Sequence, residues 1–191
     1  MSCLKVSIMI PTYNRAAMLN RCLKSCLEQT YPNLEIIVSD NASTDNTENI
    51  IREYLKDARF KYYRQENNIY IEQWKKLLYE YSTGDYGILI PDDDYLLNKN
   101  HVSEAASLIK KYQVDFVLSN CYFFDEEKGI NKKPELNFPT LLSADWAVQN
   151  IGRASQYHVP FLPGLSAVFN KRKETGTRFH TDRRGLSSLS L

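Results

Sequence analysis

Leu4-Lys5-Val6-Ser7-Ile8-Met9-Ile10-Pro11-Thr12-Tyr13-Asn14-Arg15 decides the reading of the chain. Leu4 to Ile10 is a short, apolar, β-branched run stopped by Pro11, the pattern of a buried strand. Directly after it, Leu19, Cys22, Leu23, Cys26 and Leu27 recur at helical spacing, which predicts a helix from about Arg15 to Gln29. A strand that feeds a helix through a polar turn is the repeating unit of a parallel α/β sheet.

The same alternation continues. Tyr31-Pro32-Asn33 is turn chemistry, and Leu34 to Ser39 is a second strand. Asp45 followed by Glu48 has capping-box spacing and opens a helix carrying Ile50, Ile51, Tyr54 and Leu55. Arg59 to Arg64 is a weaker strand, and Tyr70, Trp74, Leu77, Leu78 and Tyr81 mark a third helix ended by Gly84. Tyr86 to Ile90 is a buried strand closed by Pro91, His101 to Tyr112 a fourth helix, and Val114 to Leu118 a further strand. The expected class is α/β, a mainly parallel sheet with helices on both faces. After about Asp125 the pattern loosens, with Ala144 to Ile151 as a short helix and a tail that closes no recognisable element. Residues 1–191 are expected to form a single domain that stops before it is complete, divided near residue 121.

Composition narrows the function classes. Of the 191 residues 43% are hydrophobic, enough for a real core, and Lys plus Arg (24) nearly balances Asp plus Glu (23), leaving a net charge of +1. No overall field draws nucleic acid or an anionic membrane, so anion binding has to be local. No apolar run approaches the roughly 20 residues that span a bilayer, and the N-terminus lacks signal-peptide character. A cytoplasmic location is the default expectation, with peripheral association at the inner face of a membrane left open. Cys3, Cys22, Cys26 and Cys121 form no CxxC pair, and Cys22 and Cys26 fall on the apolar stripe as reduced core residues.

In an open parallel sheet, ligands bind beyond the carboxyl ends of the strands, near the point where strand order reverses. Three polar groups follow three strands here: Pro11-Thr12-Tyr13-Asn14-Arg15, Asp40-Asn41-Ala42-Ser43-Thr44-Asp45 and Asp92-Asp93-Asp94. Adjacent carboxylates at the mouth of a buried strand repel one another unless a cation or solvent neutralises them. Oxygen clusters of this kind suit Mg²⁺ or Mn²⁺, which can hold a substrate's phosphates and neutralise a departing diphosphate. The competing reading of the triplet is a solvated acidic turn. Asp40 accepts hydrogen bonds either from a base or ribose or from its own turn. Asp45 is foremost a helix cap, and Asn14 a cap of the first helix. Tyr13 walls a nucleobase or packs structurally, and Arg15 meets a phosphate or stays solvated. There is no G-x-G-x-x-G and no G-x-x-x-x-G-K-[ST], and His101, His158 and His180 form no metal motif.

Val6 to Arg15 resembles the opening strand and loop of family 2 glycosyltransferases, and Ile36-Ile37-Val38-Ser39-Asp40-Asn41-Ala42-Ser43-Thr44-Asp45 resembles their second-strand signature. Asn68, then Gly84-Asp85-Tyr86 leading into Ile90-Pro91-Asp92-Asp93-Asp94-Tyr95-Leu96, is similar to their metal-binding region, and Pro163 to Phe169 is weakly similar to an acceptor-side segment. The resemblance covers roughly residues 4 to 121. It implies a GT-A fold, a nucleotide-diphosphate sugar donor (a UDP-sugar foremost), Mg²⁺ or Mn²⁺, and a saccharide or lipid-linked acceptor in a surface-polysaccharide pathway. It puts Pro11, Thr12 and Tyr13 at the nucleobase with Asp40 binding the base, Arg15 and Asn68 in the donor site, and Asp92 at the ribose. Asp93, with Asp94, would hold the metal, and the acceptor hydroxyl would attack directly with inversion.

Two departures stand out. Asn68-Ile69-Tyr70 replaces the common Asn-x-Gly, and Gln73 stands where Asn is common. The family's base is a carboxylate well downstream; Asp182 is the weak candidate and Asp145 a weaker one, unless the base lies beyond Leu191 or has been lost. Two alternatives remain: sugar-phosphate nucleotidyl transfer, disfavoured by the lack of a Gly-rich basic loop, and a nucleotide-binding fragment without catalysis.

Overall fold

The computed structural model describes residues 4–114, 116–119, 122–125, 130–132, 167–170, 180–181 and 187–188. It divides into two compact units, Met1–Val117 with Ala167–Leu191, and Leu118–Ser166.

The first unit contains β1 (Val6–Thr12), α1 (Ala16–Leu27), β2 (Leu34–Asp40), α2 (Thr47–Tyr54) and β3 (Phe60–Arg64). A short α3 (Glu72–Lys75) passes directly into a π-helical turn (Lys76–Tyr81), followed by β4 (Tyr86–Leu89), α4 (His101–Tyr112) and β5 (Phe116–Leu118). In the second unit β6 (Phe123–Asp125) and β7 (Ile130–Lys132) pair antiparallel. The chain then contributes β8 (Ala167–Asn170), β9 (His180–Thr181) and β10 (Ser187–Ser188) to the first unit, the last two forming an antiparallel pair.

The main sheet has the order β3-β2-β1-β4-β8-β5. β3, β2, β1 and β4 run parallel, and β8 pairs antiparallel with β4. The α/β fold class expected from the alternating pattern is therefore the one observed. From β1 the chain builds outward through β2 to β3, then returns to place β4 on the other side of β1, so the order reverses between β1 and β4. Ile8, Met9, Ile10, Ile36, Ile37 and Ile88 are fully buried in these central strands, and Leu19, Leu23 and Ile51 cover them from the helices. Cys22 and Cys26 are buried free thiols. Among the described residues no helix is long and apolar enough to cross a membrane.

Several boundaries differ from the sequence reading for physical reasons. β1 does not stop at Pro11 but runs on to Thr12, in register with Ser39 and Asp40. The Met9 carbonyl accepts from Ile90 N–H and the Thr12 carbonyl from Asn41 N–H. Alternation therefore turns the Pro11 nitrogen toward the β4 side, beyond the end of that strand, where no ladder donor is needed. The third helix is largely a π turn. It seats Leu77 against Met9 and Ile37 and lays the Tyr81 ring on Tyr63, with centroids 4.0 Å apart and planes 5° from parallel. Gly84 does not terminate it, since Ser82 is already extended. What Gly84 supplies is close approach: a Cβ there would lie 2.5 Å from Ser7 Oγ and 2.8 Å from Ser7 N.

Beneath that contact lies a buried carboxylate. Glu35, on β2 opposite Ser7 of β1, accepts hydrogen bonds from Ser7 Oγ (2.6 Å), Thr83 N (2.6 Å), Gly84 N (3.1 Å) and Lys61 Nζ (2.8 Å). Lys5 Nζ pairs with it at 3.2 Å. Burial pushes its pKa up, but the bonds from Lys61, Ser7 and Thr83 outweigh this and hold it down to about 2.

The capping box is not formed, because Glu48 pairs with Arg52 at 2.8 Å. Asp45 instead joins two helix starts: Oδ2 accepts from Ala16 N (3.0 Å), and Oδ1 from Thr47 N (3.1 Å) and Thr47 Oγ1 (2.6 Å). Asp45→Ala removes the side-chain partner at the start of both α1 and α2, and is expected to cost about 1–2 kcal/mol in urea unfolding. Asp45→Asn, which keeps one acceptor oxygen, is expected to cost less.

Candidate functional site

The carboxyl ends of β1, β2 and β4 bring the three predicted polar groups to one edge of the sheet. Across the β1/β4 reversal, Thr12 Oγ1 donates to Asp92 Oδ2 at 2.7 Å, and both residues are buried. Arg15, just before α1, reaches the same place. Its Nη1 lies 3.2 Å from Asp92 Oδ1 and 2.8 Å from Asp93 Oδ2. Asp92, chiefly, raises the guanidinium pKa, and Asp93 adds to it, so Arg15 is a fixed cation. Thr12, Arg15, Asp92 and Asp93 thus form one hydrogen-bonded group.

The triplet carries more negative charge than its protein partners balance. Burial raises the Asp92 pKa in spite of Thr12 and Arg15. Burial and then repulsion from Asp93 push Asp94 up to about 6, against the pull of Arg21. Arg21 itself lies over the Tyr95 ring, 4.8 Å from its centroid. Underneath, Cys22 Sγ sits 3.8 Å from the Pro91 carbonyl, so α1 supports the loop that carries the aspartates.

At the end of β2, Asp40 is fully buried and bound on both oxygens. Oδ1 accepts from Ser43 N at 2.8 Å, and Oδ2 from Tyr62 OH at 2.7 Å and Arg64 Nη1 at 2.9 Å. Arg64 also donates to the Ser43 carbonyl at 2.7 Å. Burial first, then the hydrogen bond and charge of Asp40, raise the Tyr62 phenol well above its ordinary range. The next residue, Asn41, clasps the loop after β3: its Nδ2 donates to Asn68 Oδ1 (2.6 Å) and its Oδ1 accepts from Ile69 N (2.8 Å).

Asn14 does not cap α1, because Asp45 holds Ala16 N–H. Its side chain accepts from Thr44 N at 2.7 Å, and its own N–H donates to Ser43 Oγ at 2.9 Å, which ties the loops after β1 and β2 together. Pro11 is buried beneath this edge, while Tyr13 projects into solvent. Asp182, Asp145, His158, Cys3, Cys121, the Ala144–Ile151 helix and Pro163–Ser166 lie outside the described residues.

Two residues at this edge, Tyr62 and Arg64, escaped the sequence reading, and a third, Gln73, was noted there only as a departure from the common Asn. Tyr62 and Arg64, two apart on β3, share a face and meet Asp40 through the β2–β3 register. Buried Gln73 donates to the Ser39 carbonyl at 2.5 Å and to the Thr12 carbonyl at 3.4 Å, joining the ends of β1 and β2 from below. The alternation Tyr62-Tyr63-Arg64 was a usable signal for the first two; for Gln73 the signal was its departure from the common Asn, which does not reveal the two carbonyls it joins.

The sequence matches Glycosyl transferase family 2 over residues 7–175. The chain belongs to glycosyltransferase family 2. It is 33% identical to glycosyltransferase GlyG of Streptococcus pneumoniae over 125 residues, 65% of this chain and 41% of that protein. It is 29% identical to the GalNAc(5)-diNAcBac-PP-undecaprenol beta-1,3-glucosyltransferase of Campylobacter jejuni over 155 residues, 75% of this chain and 49% of that one. The crystal structure of S. aureus TarS 1-349 in complex with UDP-GlcNAc is similar with a TM-score of 0.71 at 22% identity, covering 93% of this chain and 49% of that chain. The mannosyltransferase PcManGT from Pyrobaculum calidifontis, in complex with GDP-Man and Mn2+, gives a TM-score of 0.64 at 21% identity, covering 95% of this chain and 49% of that chain. The family 2 chain therefore has the GT-A fold of these neighbours, and it spans half or less of the length of each of these relatives.

Proposed function

We propose that the chain binds a nucleotide-diphosphate sugar, a UDP-sugar foremost, and takes part in transferring the sugar to a saccharide or lipid-linked acceptor with inversion. The observation that carries this is the group Thr12–Asp92–Arg15–Asp93, closed by hydrogen bonds across the β1/β4 reversal. Thr12 and Tyr13, with Asp40 and its partner Arg64, meet the base; Asp92 meets the ribose; Arg15 meets the diphosphate. Asn68 shapes the donor pocket from the loop that Asn41 clasps.

Asp93 and Asp94 would hold Mg²⁺ or Mn²⁺, and the donor set fits. Burial first, and then repulsion from Asp93, raises the pKa of Asp94, so a cation beside it would favour the carboxylate form. Among the described residues no group of three or more His, Cys, Asp or Glu side chains could hold a metal unaided. Two carboxylates with the remaining places left to diphosphate oxygens and water is the usual arrangement for Mg²⁺. When bound, the ion neutralises the charge that develops on the leaving diphosphate. In the transfer the acceptor hydroxyl forms a bond to the anomeric carbon from the face opposite the diphosphate, the carbon–oxygen bond to phosphate breaks, and the hydroxyl proton passes to a carboxylate. Asp182 is the candidate base. Arg15, already anchored on Asp92 and Asp93, needs little reorganisation to meet the leaving group.

Calorimetric titration with UDP and then GDP, with and without Mn²⁺, tests the donor site. Metal-dependent UDP binding that disappears in Asp93→Ala is expected. A folded wild-type chain that binds neither nucleotide overturns the reading. Inversion is tested separately by the anomeric configuration of the product in proton NMR.

A further inference from the structure

Among the described residues, Asn14, Ala42, Tyr70 and Gln113 have positive φ without being glycine. Three of them have local reasons. Asn tolerates the left-handed region, Ala42 lies in the turn that Asp40 Oδ1 closes by accepting from Ser43 N, and Gln113 is the left-handed C-cap of α4. Tyr70 has φ 47°, a conformation that costs a bulky residue roughly 1–2 kcal/mol. Burial does not offset that cost, because Tyr70 is 78% exposed and its neighbour Ile71 is 66% exposed.

The backbone there is held by its neighbours. Tyr70 N donates to Asn68 Oδ1 at 3.0 Å, and the Tyr70 carbonyl accepts from Gln73 N at 3.2 Å. Asn68 and Ile69 are in turn fixed to Asn41, the residue after Asp40. A large ring is therefore displayed in water on a strained, well-fastened loop beside the end of β2. The resemblance puts glycine at this position in many relatives, and glycine would adopt the conformation without strain. A strained tyrosine displayed to solvent on a fastened loop points to a ligand with a flat apolar face.

We propose that Tyr70 stacks on the nucleobase of the donor, so that the base end of the site presents Tyr70 as well as Tyr13. This rests on the donor-site reading above. Stacking on an aromatic side chain suits any base, because each has a π-face, and removing such a ring weakens binding by about tenfold to a hundredfold.

The test titrates UDP in the presence of Mn²⁺ into the wild-type chain, Tyr70→Gly and Tyr70→Phe, with a thermal melt of each. Tyr70→Gly is expected to weaken UDP about tenfold to a hundredfold while its melting temperature holds or rises, because glycine relieves the left-handed strain. Tyr70→Phe keeps the ring and is expected to keep the affinity. Wild-type affinity in Tyr70→Gly overturns the stacking and leaves the donor site standing. Weaker binding accompanied by a lower melting temperature also overturns it, since the ring would then be serving the fold. If the wild-type chain binds neither UDP nor GDP, the donor-site reading fails and the stacking with it.

Discussion

Glu35→Ala is expected to lower the stability of the fold by about 2–3 kcal/mol at neutral pH, the cost of removing a buried charged acceptor whose lysine partners are half-exposed. The carboxylate is the common acceptor for Ser7, Thr83, Gly84 and Lys61, with Lys5 alongside. Its removal takes the acceptor from the Ser7 hydroxyl and from Thr83 N–H, leaves Gly84 N–H with Ser7 Oγ alone at 2.8 Å, and frees two half-exposed ammonium groups of their carboxylate. The pH dependence has a definite sign. The folded pKa, about 2, lies below the ordinary 4.5. Its contribution is therefore complete above about pH 4.5 and is lost as the pH falls toward 2. By linkage it is worth about 3 kcal/mol at pH 7. Urea unfolding from pH 7 down to pH 3 should show the wild-type chain weakening across that window and Glu35→Gln staying flatter. Parallel acid limbs for the two would refute the hub as a source of stability.

Gly84→Ala should be comparably damaging, at about 3 kcal/mol, for a steric reason. The added methyl would meet Ser7 Oγ at 2.5 Å, Ser7 N at 2.8 Å and the Lys5 carbonyl at 2.9 Å. The hydroxyl can turn away only by giving up Glu35, and the other two atoms are backbone, of Ser7 in β1 and of Lys5 just before it. The methyl is expected to push the Thr83–Gly84 segment off the strand and take both of its N–H donors from the carboxylate. The effects of Glu35→Ala and Gly84→Ala should therefore fall short of adding when combined, because each dismantles the same cluster. Full additivity in urea unfolding of the double variant would argue that the segment and the carboxylate are independent.

The parallel core and the placement of the site were legible because both follow from local pattern. Buried strands announce themselves as apolar runs, and a polar group after each must fall on one edge once the strands are parallel. What was not legible depends on which residues oppose each other across strands. A Glu in Leu34-Glu35-Ile36-Ile37 gives no hint that a loop nearly fifty residues later will close over it. Asp40 could be marked, but its union with Tyr62 and Arg64 required the β2–β3 register. Pro11 read as a stop because the rule against proline in strands is blind to which side of the strand its nitrogen faces. A 3.6-residue period predicted an ordinary helix through Tyr81, whereas the stacking of Tyr81 on Tyr63 accompanies a wider turn. β8, which enters the sheet between β4 and β5, arrives from far along the chain and left only a weak family-like segment to read.

β1 and β2 carry two polar clusters, the Glu35 hub near one end and the candidate site at the other, about 17 Å apart along the strands. The apolar positions between them, Ile8 to Pro11 on β1 and Ile36 to Val38 on β2, separate one from the other. Exposed side chains such as Tyr13 and Tyr70 can therefore be exchanged without disturbing the Glu35 cluster. The same separation gives protein engineers a rule for this chain: vary the exposed positions of the carboxyl edge, and hold Ser7, Glu35, Thr83 and Gly84 constant together with the buried Asp40 and the helix-capping Asp45.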